Sequence, residues 1–184
     1  MSQIKTLYTN LDDAFFEHLK GIKLLLCDVD GVFSDGRIYL GNQGEELKAF
    51  HTRDGYGVKA LGKIGIKVAV ITGRQSAIVQ QRMEALNVPH IIQGCEEKGI
   101  AASRLLSELD LTTSEVAAIG DDMPDLGMYA HAAIKIAVAD AHPLVQQQAN
   151  WITCTRGGFG AVREVSDTLL QANGLLNTIH GASV

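Results

Sequence analysis

The chain has 184 residues, with 16 Lys and Arg against 21 Asp and Glu, and a formal net charge of −5. A composition that is 46% hydrophobic and 20% charged, with only 3 Pro, excludes a disordered chain and suffices for one apolar core. The acidic balance argues against sequence-independent nucleic-acid binding, which needs a basic face, but leaves room for a locally positive site that takes a small anion.

The opening residues, Met1 to Thr6, carry no apolar run of signal-peptide length. No stretch approaches the ~20 apolar residues of a membrane span. Cys27, Cys95 and Cys154 are far apart and odd in number, and read as reduced thiols. Together these features predict a cytoplasmic protein with no membrane contact. Asn10 is placed to cap a first helix over Leu11 to Leu19, which Gly21 stops. The apolar run from Ile22 to Val29 has the length of a strand covered on both faces. Arg37 to Leu40, the turn Gly41-Asn42-Gln43-Gly44, and Glu45 to Phe50 predict a β-hairpin flap over about 37–50.

A helix capped by Asp54 comes next. Strand-like runs then recur at Ile66–Ile71, His90–Ile92, Val116–Ile119, Ile134–Val138 and Trp151–Thr153. Helix-like segments separate most of them, at Ser76–Leu86, Lys98–Leu109 and Pro124–Ala130. The alternation predicts one α/β domain over 1–184: a Rossmann-like parallel sheet with helices on both faces, a hairpin flap and a C-terminal tail over about 157–184. Ligands of such sheets sit at the carboxyl ends of the strands, so the polar residues that end each run are the place to look.

Four groups end there. Asp28 and Asp30, separated by one residue, share a face of the first long strand, and Gly31 lets the chain turn away. Thr72-Gly73-Arg74 supplies a hydroxyl, an amide and a guanidinium, all anion-binding groups. Lys98 opens a helix, where its charge adds to the positive helix end. Gly120-Asp121-Asp122-Met123-Pro124-Asp125 follows the fourth of these runs. Carboxylates beside phosphate-binding groups imply Mg²⁺, which takes oxygen ligands. A carboxylate nucleophile could then divide phosphate-ester hydrolysis into two steps.

These four pieces, in this order, resemble the haloacid dehalogenase superfamily of aspartate-nucleophile phosphatases. The resemblance implies that Asp28 is the nucleophile and a metal ligand. Asp30 would be the general acid/base and a second ligand through its carbonyl, Asp121 the third ligand, and Thr72 and Lys98 would hold the phosphoryl group. Asp122 and Asp125 are expected to orient neighbouring groups. The stretch from Gly31 to Ile71 is filled by hairpin, helix and strand, which leaves no room for a cap domain.

The segments Phe33-Ser34-Asp35-Gly36, His51 to Gly57, Val138 to Pro143 and Gly157 to Glu164 are similar to a capless subgroup, the 3-deoxy-D-manno-octulosonate 8-phosphate phosphatases of lipopolysaccharide precursor synthesis. That likeness implies a Mg²⁺-dependent homotetramer in which the tail reaches a neighbouring active site. It also implies substrate contacts from Asp30, His51, Thr52, Arg53, Asp54, Gly55, Lys59, Arg74, Arg82 and Lys98. Lys59 stands where the subgroup has Arg, so a bidentate fork on a carboxylate is lost there.

Competing readings are narrower. A related nonulosonate 9-phosphate or another sugar phosphate would suit the same machinery. A receiver-like signalling module also gathers carboxylates, Thr and Lys around a phospho-aspartate, but it needs that phosphate to persist, whereas Asp30 is placed to assist hydrolysis. Gly57 to Ile64 approaches a nucleotide-binding P-loop but ends in Ile64 where Ser or Thr must hold the metal. Gly158 to Arg163 ends in Arg163 where a dinucleotide fingerprint needs Gly or Ala.

Overall fold

In the computed structural model, which describes residues 2–178, the chain opens with an antiparallel pair, β1 (Gln3–Lys5) and β2 (Asn10–Asp12). Asn10 is held opposite Lys5 in that ladder, so it does not cap the first helix. Asp12 does: its carboxylate accepts from the Ala14 and Phe15 amides at 3.0 and 3.3 Å and starts α1 (Asp13–Leu19).

The central strand is β3 (Leu24–Cys27), in which all four side chains are fully buried. A continuous apolar run is what a strand covered on both faces requires. The hairpin follows as β4 (Tyr39–Leu40) and β5 (Glu46–Leu47), paired antiparallel outside the main sheet. From there the chain alternates through α2 (Thr52–Lys63), β6 (Lys67–Ile71), α3 (Ala77–Ala85), β7 (His90–Ile92), α4 (Lys98–Glu108) and β8 (Val116–Gly120). It continues with α5 (Leu126–Tyr129), β9 (Ile134–Ala137), α6 (Pro143–Gln148), β10 (Trp151–Ile152) and α7 (Ala161–Ala172).

The six-stranded sheet is parallel throughout, in the order β10-β9-β8-β3-β6-β7. The chain builds β3, β6 and β7 to one side, then crosses over to lay β8 against the other side of β3. The strand order therefore reverses between β3 and β8, and a crevice opens there at their carboxyl ends. Right-handed crossovers put helices on both faces. Helix α7 packs on α2 and α1, and α4 packs on α5. No cap is inserted between β3 and β6 among the described residues, and none of the described helices is long and apolar enough to cross a membrane.

Two helices differ from the sequence expectation. Helix α6 is absent from the helix-like segments read from the sequence: His142 Nδ1 accepts from the Leu144 amide at 3.2 Å and caps it, and Pro143 begins it. The segment expected to be a tail over 157–184 is instead built into the fold as far as it is described. Gly158 N–H donates to the Val32 carbonyl at 2.8 Å, and α7 is buried along most of its length against α2. Residues 179–184 of that expected tail lie outside the described residues.

Candidate active site

Asp28 immediately follows β3 and Asp121 immediately follows β8, so the pairing of these strands, with Cys27 opposite Ile119, brings the two carboxylates to the switch point. Oxygens of Asp28, Asp121 and Asp125 lie within 4.8 Å of one another. The chain leaves Asp30 through a tight turn in which the Val32, Phe33 and Ser34 amides all donate to the Val29 carbonyl. Gly31 makes that turn with φ +92°, and a Cβ there would overlap the Asp121 carboxylate. Only glycine lets the two acidic loops approach this closely.

Lys98 enters from the other side of the crevice. The first turn of α4 crosses α5 at Gly99 and Gly127, where a Cβ on Gly127 would meet the Gly99 backbone. That crossing seats Lys98 Nζ 2.6 Å from Asp28 Oδ1 and 2.7 Å from Asp125 Oδ1. Asp125 Oδ2 accepts from the Asp121 and Asp122 amides at 2.8 and 3.2 Å. Both Asp125 oxygens are thus engaged in bracing Lys98 and the acidic loop. Thr72 is tied to β7 by its amide, which donates to the Ile92 carbonyl at 2.9 Å, while its own carbonyl accepts from Cys95 N–H at 3.1 Å.

A cleft of about 520 Å³ joins these groups and is lined by Asp28, Asp30, Thr72, Arg74, Lys98 and Asp121, among others. The cleft carries more negative charge than Lys98 neutralises. Burial, then the neighbouring Asp125 charge, pushes the Asp28 carboxyl up to about 6 against the pull of Lys98. Burial, followed by Asp125, Asp28 and Asp122, pushes Asp121 up to about 8. Burial alone would lower the Lys98 ammonium, but Asp28 and Asp125 outweigh it and hold it raised. Clustered oxygen donors with surplus negative charge suit a hard divalent cation.

The substrate contacts expected beyond the cleft fall into two sets. Arg74 lines the cleft and donates to Glu46 Oε2 at 2.9 Å. His51, Thr52, Arg53 and Gly55 form the first turn of α2, which lies at the same rim because α2 runs back from the hairpin to the start of β6. His51, not Asp54, caps this helix: its Nδ1 accepts from the Arg53 amide at 3.1 Å, and burial and then Arg53 lower its pKa.

Three residues are not brought to the cleft of their own chain. Asp54 is buried and turned toward α7, where Oδ1 accepts from the Arg163 amide at 2.8 Å. Lys59 lines a separate groove with Gly65, Lys67 and Val88, at the amino ends of β6 and β7, the opposite end of the sheet. Arg82 lies in the last turn of α3, about 7.5 Å along the axis from its rim end at Ala77 by the 1.5 Å rise per residue. The sequence pattern predicts the helix α2 but not which of its faces meets α7.

A haloacid dehalogenase-like hydrolase profile matches residues 90–162. The 3-deoxy-D-manno-octulosonate 8-phosphate phosphatase of Yersinia pestis is 46% identical over 181 residues, covering 98% of this chain and 97% of that one. The chain belongs to this phosphatase family. A solved structure of a Yersinia pestis family member superposes with a TM-score of 0.96 at 45% identity, over 100% of this chain and 99% of that one. The family member from Moraxella catarrhalis, solved with a magnesium ion, a phosphate ion and a KDO molecule, is 40% identical with a TM-score of 0.88, over 91% of this chain and 96% of that one.

Lys48 belongs to the site but was not singled out in the sequence. Its ammonium donates to Asp30 Oδ1, with the side chain 2% exposed. The only signal was its place on the returning limb of the hairpin, and a lysine there reads as a solvated flap residue.

Proposed function

We propose that the protein is a divalent-cation-dependent phosphatase that hydrolyses 3-deoxy-D-manno-octulosonate 8-phosphate to the free sugar acid and phosphate. The observation that carries this reading is the convergence of Asp28, Asp30, Thr72, Lys98 and Asp121 on one cleft at the switch point. On this reading the whole chain is a single catalytic domain without a cap, acting in lipopolysaccharide precursor synthesis in the cytoplasm. Three free cysteines agree with that compartment.

Asp28 attacks phosphorus, and the bond from phosphorus to the sugar oxygen breaks. The leaving oxygen keeps the electron pair and takes a proton from Asp30. Asp30 then takes a proton from water as the water oxygen attacks the aspartyl-phosphate. The acyl-phosphate O–P bond breaks and returns its electron pair to Asp28. Lys98 and Thr72 hold the phosphoryl oxygens and offset the repulsion between nucleophile and dianion.

Asp28 and Asp121, with the Asp30 carbonyl, would hold Mg²⁺; Asp125 is left out because both its oxygens are engaged. When bound, the cation would supply charge stabilisation to the transferring phosphoryl group. Arg74 in the cleft, with Arg53 in the first turn of α2, would offer guanidinium partners for the substrate's carboxylate.

An open cleft favours assembly, because specificity for one sugar acid needs walls this chain lacks. The hairpin exposes Ile38, Tyr39, Leu40 and Leu47 together, an apolar surface that supports association of copies into a homotetramer.

Released phosphate should be assayed over a panel of eight- and nine-carbon sugar acid phosphates and simple hexose phosphates, with Mg²⁺ and with EDTA. The highest kcat/KM is expected on the eight-carbon acid, and EDTA is expected to abolish turnover. Preference for a nine-carbon acid would move the substrate assignment, and EDTA-resistant turnover would overturn the metal role.

A further inference from the structure

The returning limb of the hairpin carries two charged side chains onto the rim. Glu46 lies in β5 and Lys48 one residue past its end, and both side chains reach the rim. Glu46 accepts from Arg74, and Lys48 donates to Asp30. The flap is thereby fastened at its base to both the phosphate-binding loop and the acid that follows β3.

The Lys48 ammonium lies almost wholly out of water. An ammonium is held in such a place only with a carboxylate partner, and Asp30 is the one it meets. Ser34, fully buried in the turn after Asp30, donates to the same Oδ1 atom at 3.3 Å. Both bonds therefore end on one oxygen of the carboxyl group.

We infer that Lys48 is a positioning residue, which pins Asp30 Oδ1 so that Oδ2 is presented to the leaving oxygen of the substrate. This rests on the acid/base role proposed above for Asp30. An aspartate carboxyl turns about a broad, two-fold χ2 well unless something holds it. Proton transfer needs the acid within hydrogen-bond reach of the departing atom. A bond from a charged donor is about twice as strong as one from a neutral hydroxyl, so Ser34 at 3.3 Å cannot replace Lys48.

The test compares leaving groups. A sugar alkoxide needs a proton as its bond to phosphorus breaks, whereas p-nitrophenolate departs without one. In Lys48→Met, kcat/KM on the sugar acid phosphate is expected to fall about 30-fold and on p-nitrophenyl phosphate less than about threefold, within the range general acid catalysis provides. Circular dichroism checks the fold, and Lys48→Gln carries the same comparison should the Met variant be unfolded. Equal losses on both substrates, or no loss, would overturn the positioning role. A wild-type protein that releases phosphate from neither compound would overturn the phosphatase reading itself.

Discussion

Lys98 and Asp125 meet at 2.7 Å, and they hold each other in place from opposite sides of the crevice. Asp125 anchors the ammonium with one oxygen and clamps the acidic loop with the other. Asp125→Ala should therefore injure two structures at once. It leaves a buried ammonium with one carboxylate fewer and two amides without an acceptor, a loss on the order of 3–5 kcal/mol. Urea unfolding measures it; a loss within about 0.5 kcal/mol, as for a surface substitution, would contradict the bracing role.

Asp28→Asn should abolish phosphate release while leaving the circular dichroism spectrum and the assembly unchanged. Asp30→Asn should also lose turnover, yet it retains the nucleophile and can trap phosphoenzyme. Phosphate retained on the protein, detected as a mass increase by intact mass spectrometry in the Asp30 variant alone, separates the two roles. Normal turnover by Asp28→Asn would remove it as nucleophile.

Asp54 gives the stability a pH dependence. Burial pushes its carboxyl up to about 6 against the opposing hydrogen bond from the Arg163 amide, and its Oδ2 is buried without a hydrogen-bond partner among the described residues. The unfolded chain releases this proton near pH 3.9. Between those values the folded state binds more protons than the unfolded state, so Asp54 makes stability fall as pH rises through about 4 to 6. The full effect is roughly 3 kcal/mol and is complete above the folded pKa. Unfolding free energies at pH 4, 5.5 and 7 should show Asp54→Asn gaining on wild type by that order. A constant difference would show that the carboxylate is not penalised in the fold.

Leu40 and Leu47, at 72% and 65% exposed, are the most open apolar residues of the hairpin. The double substitution Leu40→Ser and Leu47→Ser should leave the fold of one chain intact and shift the assembled species to smaller mass. Light scattering after size-exclusion chromatography reads this directly. An unchanged mass would overturn the hairpin as the assembly surface.

Much of the sheet was legible because β3, β6 and β8 are apolar on consecutive positions, the mark of strands buried on both faces. The cleft residues were legible because Asp28, Thr72 and Asp121 follow such runs and Lys98 opens a helix. What escaped was set by packing between distant segments. The motif from His51 to Gly57 reads as a substrate loop, yet Asp54 serves the amino end of α7, 109 residues away in sequence. Arg163 stacks over the Tyr56 ring and pairs with Asp167, which also accepts from the Tyr8 hydroxyl. Those contacts turn an expected tail into core. Lys48 was missed for the complementary reason: a flap lysine has no periodicity to show that it is buried.

The switch point has a consequence for partial chains. Asp28 and Asp121 follow adjacent strands but lie 93 positions apart in sequence, brought together by the β3–β8 ladder. A fragment spanning the profile match at 90–162 would keep Lys98, Asp121 and Asp125 but lack Asp28, the aspartate proposed above to carry the phosphoryl group. On the proposed mechanism a chain cut short before β8 therefore has no complete site, and turnover would report that β8 has joined β3.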